Sequence, residues 1–232
     1  MHIEPGVVDG AKIVLSYATA AAALGLAAWM ARQDARADAR RGGWPALLAR
    51  SVLTSLAVFC FFEVLPHEPV GVSEVHLILG STLLLLFGAG ATAIGLAAGL
   101  LAQGLFFAPA DLPQYGMNVT TLLVPLYAIA QLARRIVPAR TAYVDIRYRQ
   151  ALALSLAYQG GIVLWVAFWA LYGHGVGAAT LAEVGRFGLA YMGVVLLEPL
   201  IDLGALWVAK TLCGLTRGRL FTARLHAAAT PA

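Results

Sequence analysis

The sequence predicts an all-α integral membrane protein, a bundle of about seven transmembrane helices with the N-terminus outside and the C-terminus in the cytoplasm. Hydrophobic residues make up 60% of the 232 residues and charged residues only 12%, whereas soluble domains carry about 25% charged residues. Each helix across a bilayer needs about 20 apolar residues, so seven need about 140. The remainder suffices only for short connections. We therefore expect one transmembrane domain over residues 1–232 and no separate soluble catalytic or nucleotide-binding domain.

Apolar runs define the predicted helices in chain order. The first run follows Glu4 and Asp9 and exceeds the roughly 7–15 apolar residues of a signal peptide, so we expect it to be retained. The uncharged stretch 75–107 is too long for a single crossing of about 30 Å, and we expect it to fold in two at Gly88–Ala91. The predicted helices cover residues 11–31, 45–65, 75–88, 91–107, 118–133, 150–172 and 187–212.

The positions of the cations predict the orientation. Fourteen of the 16 Lys and Arg residues lie in segments 32–50, 134–149 and 210–224, which fall on one side of the helix series. The opposite connections hold none; they are 66–74, 109–117 and 174–185. By the positive-inside rule the basic segments are cytoplasmic. This pattern indicates a multi-pass membrane protein, and it explains the basic charge by topology in a lipid bilayer rather than by a nucleic-acid partner.

The first two residues carry the strongest chemical signal. The α-amine of Met1, the amide nitrogen of His2 and the His2 ring can close fused chelate rings around one ion, and a bulky second residue favours retention of Met1. Planar nitrogen coordination suits Ni(II) and Cu(II), and Co(II) can be forced into it. By itself, however, a histidine near a terminus is more often a plain surface residue. His67, His76 and His174 also fall at or near the outer side, with few competing cations.

Three segments together resemble a known family. They are Met1-His-Ile-Glu-Pro-Gly6, Ser73-Glu-Val-His-Leu77, and Gln103 followed by Gly116-Met-Asn118. This pattern resembles the CbiM/NikM family, the metal-capturing membrane component of cobalt and nickel energy-coupling-factor transporters, which has seven helices. The resemblance implies metal ligands on Met1, His2 and His76. The loop 105–115 departs from the family pattern.

Four more residues are expected around the metal or on its path. Ser73 is placed to hold the His76 ring nitrogen opposite the metal. Gln103 and Asn118 either orient the N-terminal peptide and the outer loop over the ion or form hydrogen bonds between helices. His67 is either an access ligand or a solvated residue, and we favour the second.

The resemblance implies a transport function rather than an enzyme. The chain would capture Co(II), or alternatively Ni(II), as the transported substrate, with no catalytic cofactor; imported cobalt would serve cobalamin biosynthesis. The sequence has no Gly-x-x-x-x-Gly-Lys-Ser/Thr phosphate loop. The resemblance therefore implies two ATPase subunits and a transmembrane coupling subunit as partners, and it allows a small accessory membrane protein. The small residues at 18–23 would either dock the coupling subunit or pack within the bundle.

Two alternatives come from other classes of protein. One is a membrane scaffold or assembly subunit in which the histidines are incidental. The other is an intramembrane enzyme that uses Glu198 and Asp202, which lie four residues apart on one helix face. The same two acids are also explained by a structural polar cluster with Lys210 or a tyrosine, and we favour that explanation over a proton or cation relay.

Overall fold

A computed structural model describes residues 3–65, 67–138 and 141–211 of the chain. These residues form a helical bundle with one small hairpin. The helices are α1 (Ile13–Ala37), α2 (Gly43–Phe59), α3 (Gly80–Phe87), α4 (Ala89–Phe106), α5 (Tyr115–Ile136), α6 (Tyr148–His174) and α7 (Ala178–Thr211), and the strands are β1 (Glu68–Val70) and β2 (Ser73–Val75). A π-helical turn at Cys60–Val64 continues α2.

Six helices in the described part of the chain are long and apolar enough to cross a membrane, and α3 is the one that falls short. This confirms the expectation of an all-α multi-pass membrane protein. The eight residues of α3 follow a non-helical segment at 76–79, of which His76, Ile78 and Leu79 are buried. Leu79, the last residue of that segment, has a φ of 54°, so the chain turns there as α3 begins. Seven crossings and the orientation of the termini stay predictions.

Small residues allow α1, α2 and α4 to approach each other closely. Ala20, Ala23 and Ala27 form the buried face of α1. Between α2 and α4, the Thr54 hydroxyl donates a hydrogen bond to the carbonyl oxygen of Ala91 at 2.8 Å. Hydroxyl hydrogen bonds and close backbone contact are the main attractions between helices in lipid, where burial of apolar surface contributes little.

One end of the bundle, which we call the arginine end, contains the α1–α2 and α3–α4 connections. Arg50 is buried and pairs with Asp38 at 2.8 Å, so its charge is compensated inside the protein. Asp34, near the end of α1, accepts a hydrogen bond of 2.7 Å from the Gly90 N–H at the start of α4. A carboxylate at a helix N-terminus satisfies a free backbone donor and the helix dipole, and here it joins α1 to α4.

The opposite end, which we call the hairpin end, contains β1 and β2. The strands pair antiparallel, with Glu68 opposite Val75. Gly71, in the turn, has a φ of 65°, and a Cβ there would overlap the carbonyl oxygen of Glu183 in α7. Glycine is therefore required both by the backbone conformation and by contact with α7.

Several boundaries differ from those predicted. The sequence pattern placed a connector at 66–74 and a helix start at 75, but the structure has a hairpin and begins α3 at Gly80. Helix α7 begins at Ala178 instead of 187. Most of the segment 174–185, which the sequence pattern assigned to a connection, is therefore helical. Helix α1 continues to Ala37 through charged residues, since arginine and alanine are good helix formers.

A matched pair of glycines on α6 tests how tightly the N-terminal segment packs at the hairpin end. A Cβ on Gly173 would overlap the Val7 carbonyl group, whereas a Cβ on Gly160 has no atom within 4 Å. We expect Gly173→Ala to lower the free energy of unfolding by about 1–3 kcal/mol through overpacking. Gly160→Ala should leave it unchanged or raise it slightly. Thermal unfolding of the two purified variants, followed by tryptophan fluorescence, makes the comparison. Equal melting temperatures would contradict the packing described.

Candidate metal-binding site

The N-terminal segment joins the hairpin as an additional extended segment. Ile3 forms an antiparallel bridge with Ser73, and the Glu4 N–H donates to the carbonyl oxygen of Val72 at 3.2 Å. The Ile3 N–H donates to the side-chain oxygen of Asn118 at 2.8 Å, within the buried start of α5. The backbone of Ile3 is thus fixed against both the hairpin and α5.

The same segment is also held by α6. Val7 and Val8 are buried, and the Val7 carbonyl group lies against Gly173. The Lys12 ammonium donates to the carbonyl oxygen of Gly173 at 2.8 Å. The segment 3–12 is therefore attached to the hairpin, to α5 and to α6 by separate contacts along its length.

His76 directly follows β2 and is fully buried. Its Nε2 lies 2.8 Å from a carboxylate oxygen of Glu74, and because a carboxylate accepts, Nε2 carries the proton. In the neutral ring the lone pair is then on Nδ1, which is the form a metal ligand needs. Tyr191 of α7 donates its hydroxyl to the His76 carbonyl oxygen at 3.1 Å, so the backbone is held as well as the ring.

Two rings pack against the imidazole of His76. The His67 ring stacks on it with centroids 4.9 Å apart and planes 18° apart, and the centroid of Phe62 lies at 5.2 Å. His67 is otherwise exposed, and its Nδ1 lies 3.2 Å from the Leu65 carbonyl oxygen. The structure therefore brings His67 beside His76, at the exposed edge of the site.

Glu74 is the residue near the site that sequence reasoning missed. We expected Ser73 to hold the His76 ring, whereas the described contact at Nε2 comes from Glu74, and Ser73 forms the bridge to Ile3. A signal was present in the sequence: residues two apart in an extended chain point to the same side, so Glu74 and His76 share a face.

The two amides expected near the metal have different partners. Gln103 donates to the Phe62 carbonyl oxygen and to a Glu63 carboxylate oxygen, both at 3.4 Å, so it connects α4 with the end of α2. Asn118 instead holds Ile3. The Nδ2 of Asn118 is buried and has no hydrogen-bond partner among the described residues.

Three carboxylates lie close enough to influence each other at this end. Burial raises the pKa of Glu4, and the negative charges of Glu74 and then Asp111 raise it further. Asp111 and Asn118 also line one small cavity of about 10 Å³, roughly the space for one water molecule. The hairpin end is therefore electronegative, and a cation there would relieve repulsion among the carboxylates.

Met1 and His2, two of the three predicted metal ligands, lie outside the described residues. Within residues 3–65, 67–138 and 141–211, no cluster of three or more His, Cys, Asp or Glu side chains can hold a metal ion. Ser73 and Asn118 both contact Ile3, and His76 follows Ser73 by three residues along the chain.

The intramembrane acids form a separate feature. Glu198 is fully buried in α7 and accepts a hydrogen bond from the Ser155 hydroxyl of α6. The side chains of Asp202 and Lys210 lie outside the described residues. Ser155 was not among the partners we expected for Glu198. Its contact links α6 to α7, as in a structural polar cluster.

An apolar helical bundle with six helices long enough to cross a bilayer, and a cluster of polar and acidic residues at one end, defines a multi-pass membrane protein. The family model described as "Cobalt uptake substrate-specific transmembrane region" (CbiM) matches residues 2–211. The chain belongs to this family, whose members are transporter components and not enzymes. Comparisons with curated proteins and with solved structures gave no match.

The hydrogen bond from Ile3 to Asn118 predicts a local effect of mutation. Asn118→Leu removes the acceptor, and since one such bond stabilises by about 0.5–1.5 kcal/mol, the Ile3 amide should exchange its hydrogen roughly two- to tenfold faster. Thr121→Val, one turn further along α5, removes a buried hydroxyl whose bond goes to Met117 within the same helix. Hydrogen–deuterium exchange at residues 3–8 should respond to the first variant only. Equal rates in both variants would contradict the proposed role of Asn118.

The raised pKa of Glu4 predicts a pH-dependent change in stability. The folded state holds the Glu4 proton more tightly than the unfolded state, so this group's contribution falls as pH rises through the raised pKa. In metal-free protein, Glu4→Gln should therefore raise the melting temperature at pH 7. The gain should disappear below the ordinary pKa of 4.5. A lower melting temperature for Glu4→Gln at pH 7 would show that the Glu4 carboxylate stabilises the metal-free protein.

Proposed function

We propose that the chain captures Co(II) at the hairpin end and delivers it to the cytoplasm as the substrate-binding component of an ATP-driven energy-coupling-factor transporter. Membership of the cobalt-uptake family supports the transport role. The observation that carries the proposed site is the fixing of Ile3 beside the segment that leads into His76.

The proposed ligands are the Met1 amine, the His2 amide and ring nitrogens, and the ring of His76. Consecutive Cα atoms are about 3.8 Å apart, so a ligand set that includes His2 has to assemble close to Ile3. Ile3 is paired with Ser73, three residues before His76. Glu74 would fix the tautomer and orientation of the His76 ring, as carboxylates commonly do behind a histidine ligand.

The carboxylates at the hairpin end would attract the ion before it is bound. Glu4, Glu74 and Asp111 concentrate negative charge at one mouth of the bundle, and such a field raises the local concentration of divalent cations. Oxygen ligands of this kind bind Co(II) and Ni(II) less well than nitrogen. The carboxylates would attract the ion to the site, and the nitrogen ligands would then hold it.

Release requires energy from partners. We propose a transmembrane coupling subunit and two ATPase subunits that tilt the bundle toward the cytoplasm of a bacterial cell, with a small accessory membrane protein as an optional member. Helix α1 offers a docking stripe, since Ala18, Ala22 and Gly25 are exposed at spacings of four and three. Small residues at such spacing permit close helix contact.

Nickel is the second candidate substrate, because the same nitrogen ligands also suit Ni(II). The scaffold and enzyme alternatives make different demands on the chain. A scaffold would need none of the nitrogen ligands. An enzyme that uses the α7 acids would need Glu198, whose contact with Ser155 instead supports a role in packing.

Metal retention by purified variants tests the proposal. His76→Ala, His2→Ala and a short peptide extension before Met1 should each abolish Co(II) retention, because each removes or blocks one nitrogen donor. Glu74→Gln should weaken retention by about 10–100-fold, the usual effect of removing a partner behind a metal ligand. The measurement is elemental analysis after loading with Co(II) or Ni(II) and desalting.

His174→Ala is the matched control, a histidine at the same end on α6 that should leave retention unchanged. The N-terminal extension replaces no residue of the described bundle, and an unchanged melting temperature of the extended protein would separate its effect from misfolding. Normal retention in the His2, His76 and extended variants would rule out this site and favour the scaffold. A larger effect of Glu198→Gln than of His2→Ala would favour the enzyme alternative.

A further inference from the structure

A large apolar groove lies between α1, α2 and α4, away from the metal-binding end. Its volume is about 700 Å³, and almost all of its lining is apolar. On α1 the lining runs from Leu24 to Arg32, and the ring of Trp44 on α2 lies on it as well. Arg32 and Trp44 belong to the arginine end, whereas Tyr115, at the start of α5, marks the other limit.

The length of the groove distinguishes between two classes of occupant. From Leu24 to Arg32 the helix rises about 12 Å, which is close to half of a bilayer core of about 30 Å. A transmembrane helix of a partner protein would need the full thickness. A single acyl chain belongs to one leaflet and matches the observed length.

The charges at the mouth of the groove favour an anionic headgroup. Arg32 and Arg36 are exposed, one helical turn apart, and form no ion pair with any residue in the described part of the chain. The two acids of this segment have other partners: Asp34 accepts a hydrogen bond from the start of α4, and Asp38 pairs with Arg50. Basic sites between helices on the cytoplasmic side are typical binding places for anionic phospholipids.

Trp44 adds an interfacial anchor at the same place. Its side chain is 58% exposed beside Arg32, and exposed tryptophans concentrate at the level of lipid headgroups. We infer that the groove holds one acyl chain of an anionic phospholipid from the arginine-end leaflet and that Arg32 and Arg36 bind its phosphate. Lipid binding here would not require the metal capture that we propose at the opposite end.

The test is to count phospholipids retained by the full chain after purification from phosphatidylglycerol-containing vesicles, by native mass spectrometry. Arg32→Gln should retain the lipid roughly fivefold less well, since a basic side chain near an anionic membrane contributes about that factor in binding. Ala28→Phe, which fills the groove from α1, should abolish retention.

Two variants serve as matched controls. Arg149→Gln removes an exposed arginine at the start of α6, and Ala157→Phe adds the same bulk at an exposed position of α6 outside the groove lining. Both should keep the lipid. Undiminished lipid in Arg32→Gln and Ala28→Phe would overturn the inference, as would equal retention of phosphatidylcholine. Loss of a co-purifying coupling subunit from Ala28→Phe with lipid retained would instead identify the groove as a protein-docking surface.

Discussion

The backbone of Ile3 is the point on which the arrangement of the hairpin end depends. Its bridge to Ser73 and its hydrogen bond to Asn118 connect three parts of the chain that are far apart in sequence. Two such bonds are individually modest in water, but at a buried site an unpaired amide would be considerably more costly. Moving the N-terminal segment would leave the Asn118 side chain and the hairpin edge without these partners, so the segment and the hairpin form one unit.

Charge is distributed differently at the two ends of the bundle, and each distribution suits its proposed task. At the hairpin end, burial and the negative charges of Glu74 and Asp111 raise the pKa of Glu4, and Glu74 lies against the ring of His76. At the arginine end, Asp34 and Asp38 turn inward to Gly90 and Arg50, and arginines remain on the outside. The first surface would attract a divalent cation, as we propose, and the second would favour an anionic lipid.

The sequence predicted the class of fold and the family well, because long apolar runs and Met1-His-Ile with Ser73 to His76 are local signals. The hairpin was missed, since its strands are three residues long and its stability comes from Ile3 and α7, which are distant in sequence. Contact with the N-terminal peptide was one of the alternatives expected for Gln103 and Asn118, and Asn118 makes it through Ile3. The contact of Gln103 with Glu63 could not be assigned, because the two residues are 40 positions apart in sequence.

The coordination shell of the captured ion tests the central claim most directly. X-ray absorption spectroscopy on the Co(II)-loaded protein should show a first shell of nitrogen with the scattering pattern of two imidazoles and no sulfur. A shell made mainly of oxygen would instead indicate carboxylate, carbonyl or water ligands. That result would contradict capture by the terminal amine and the two histidines.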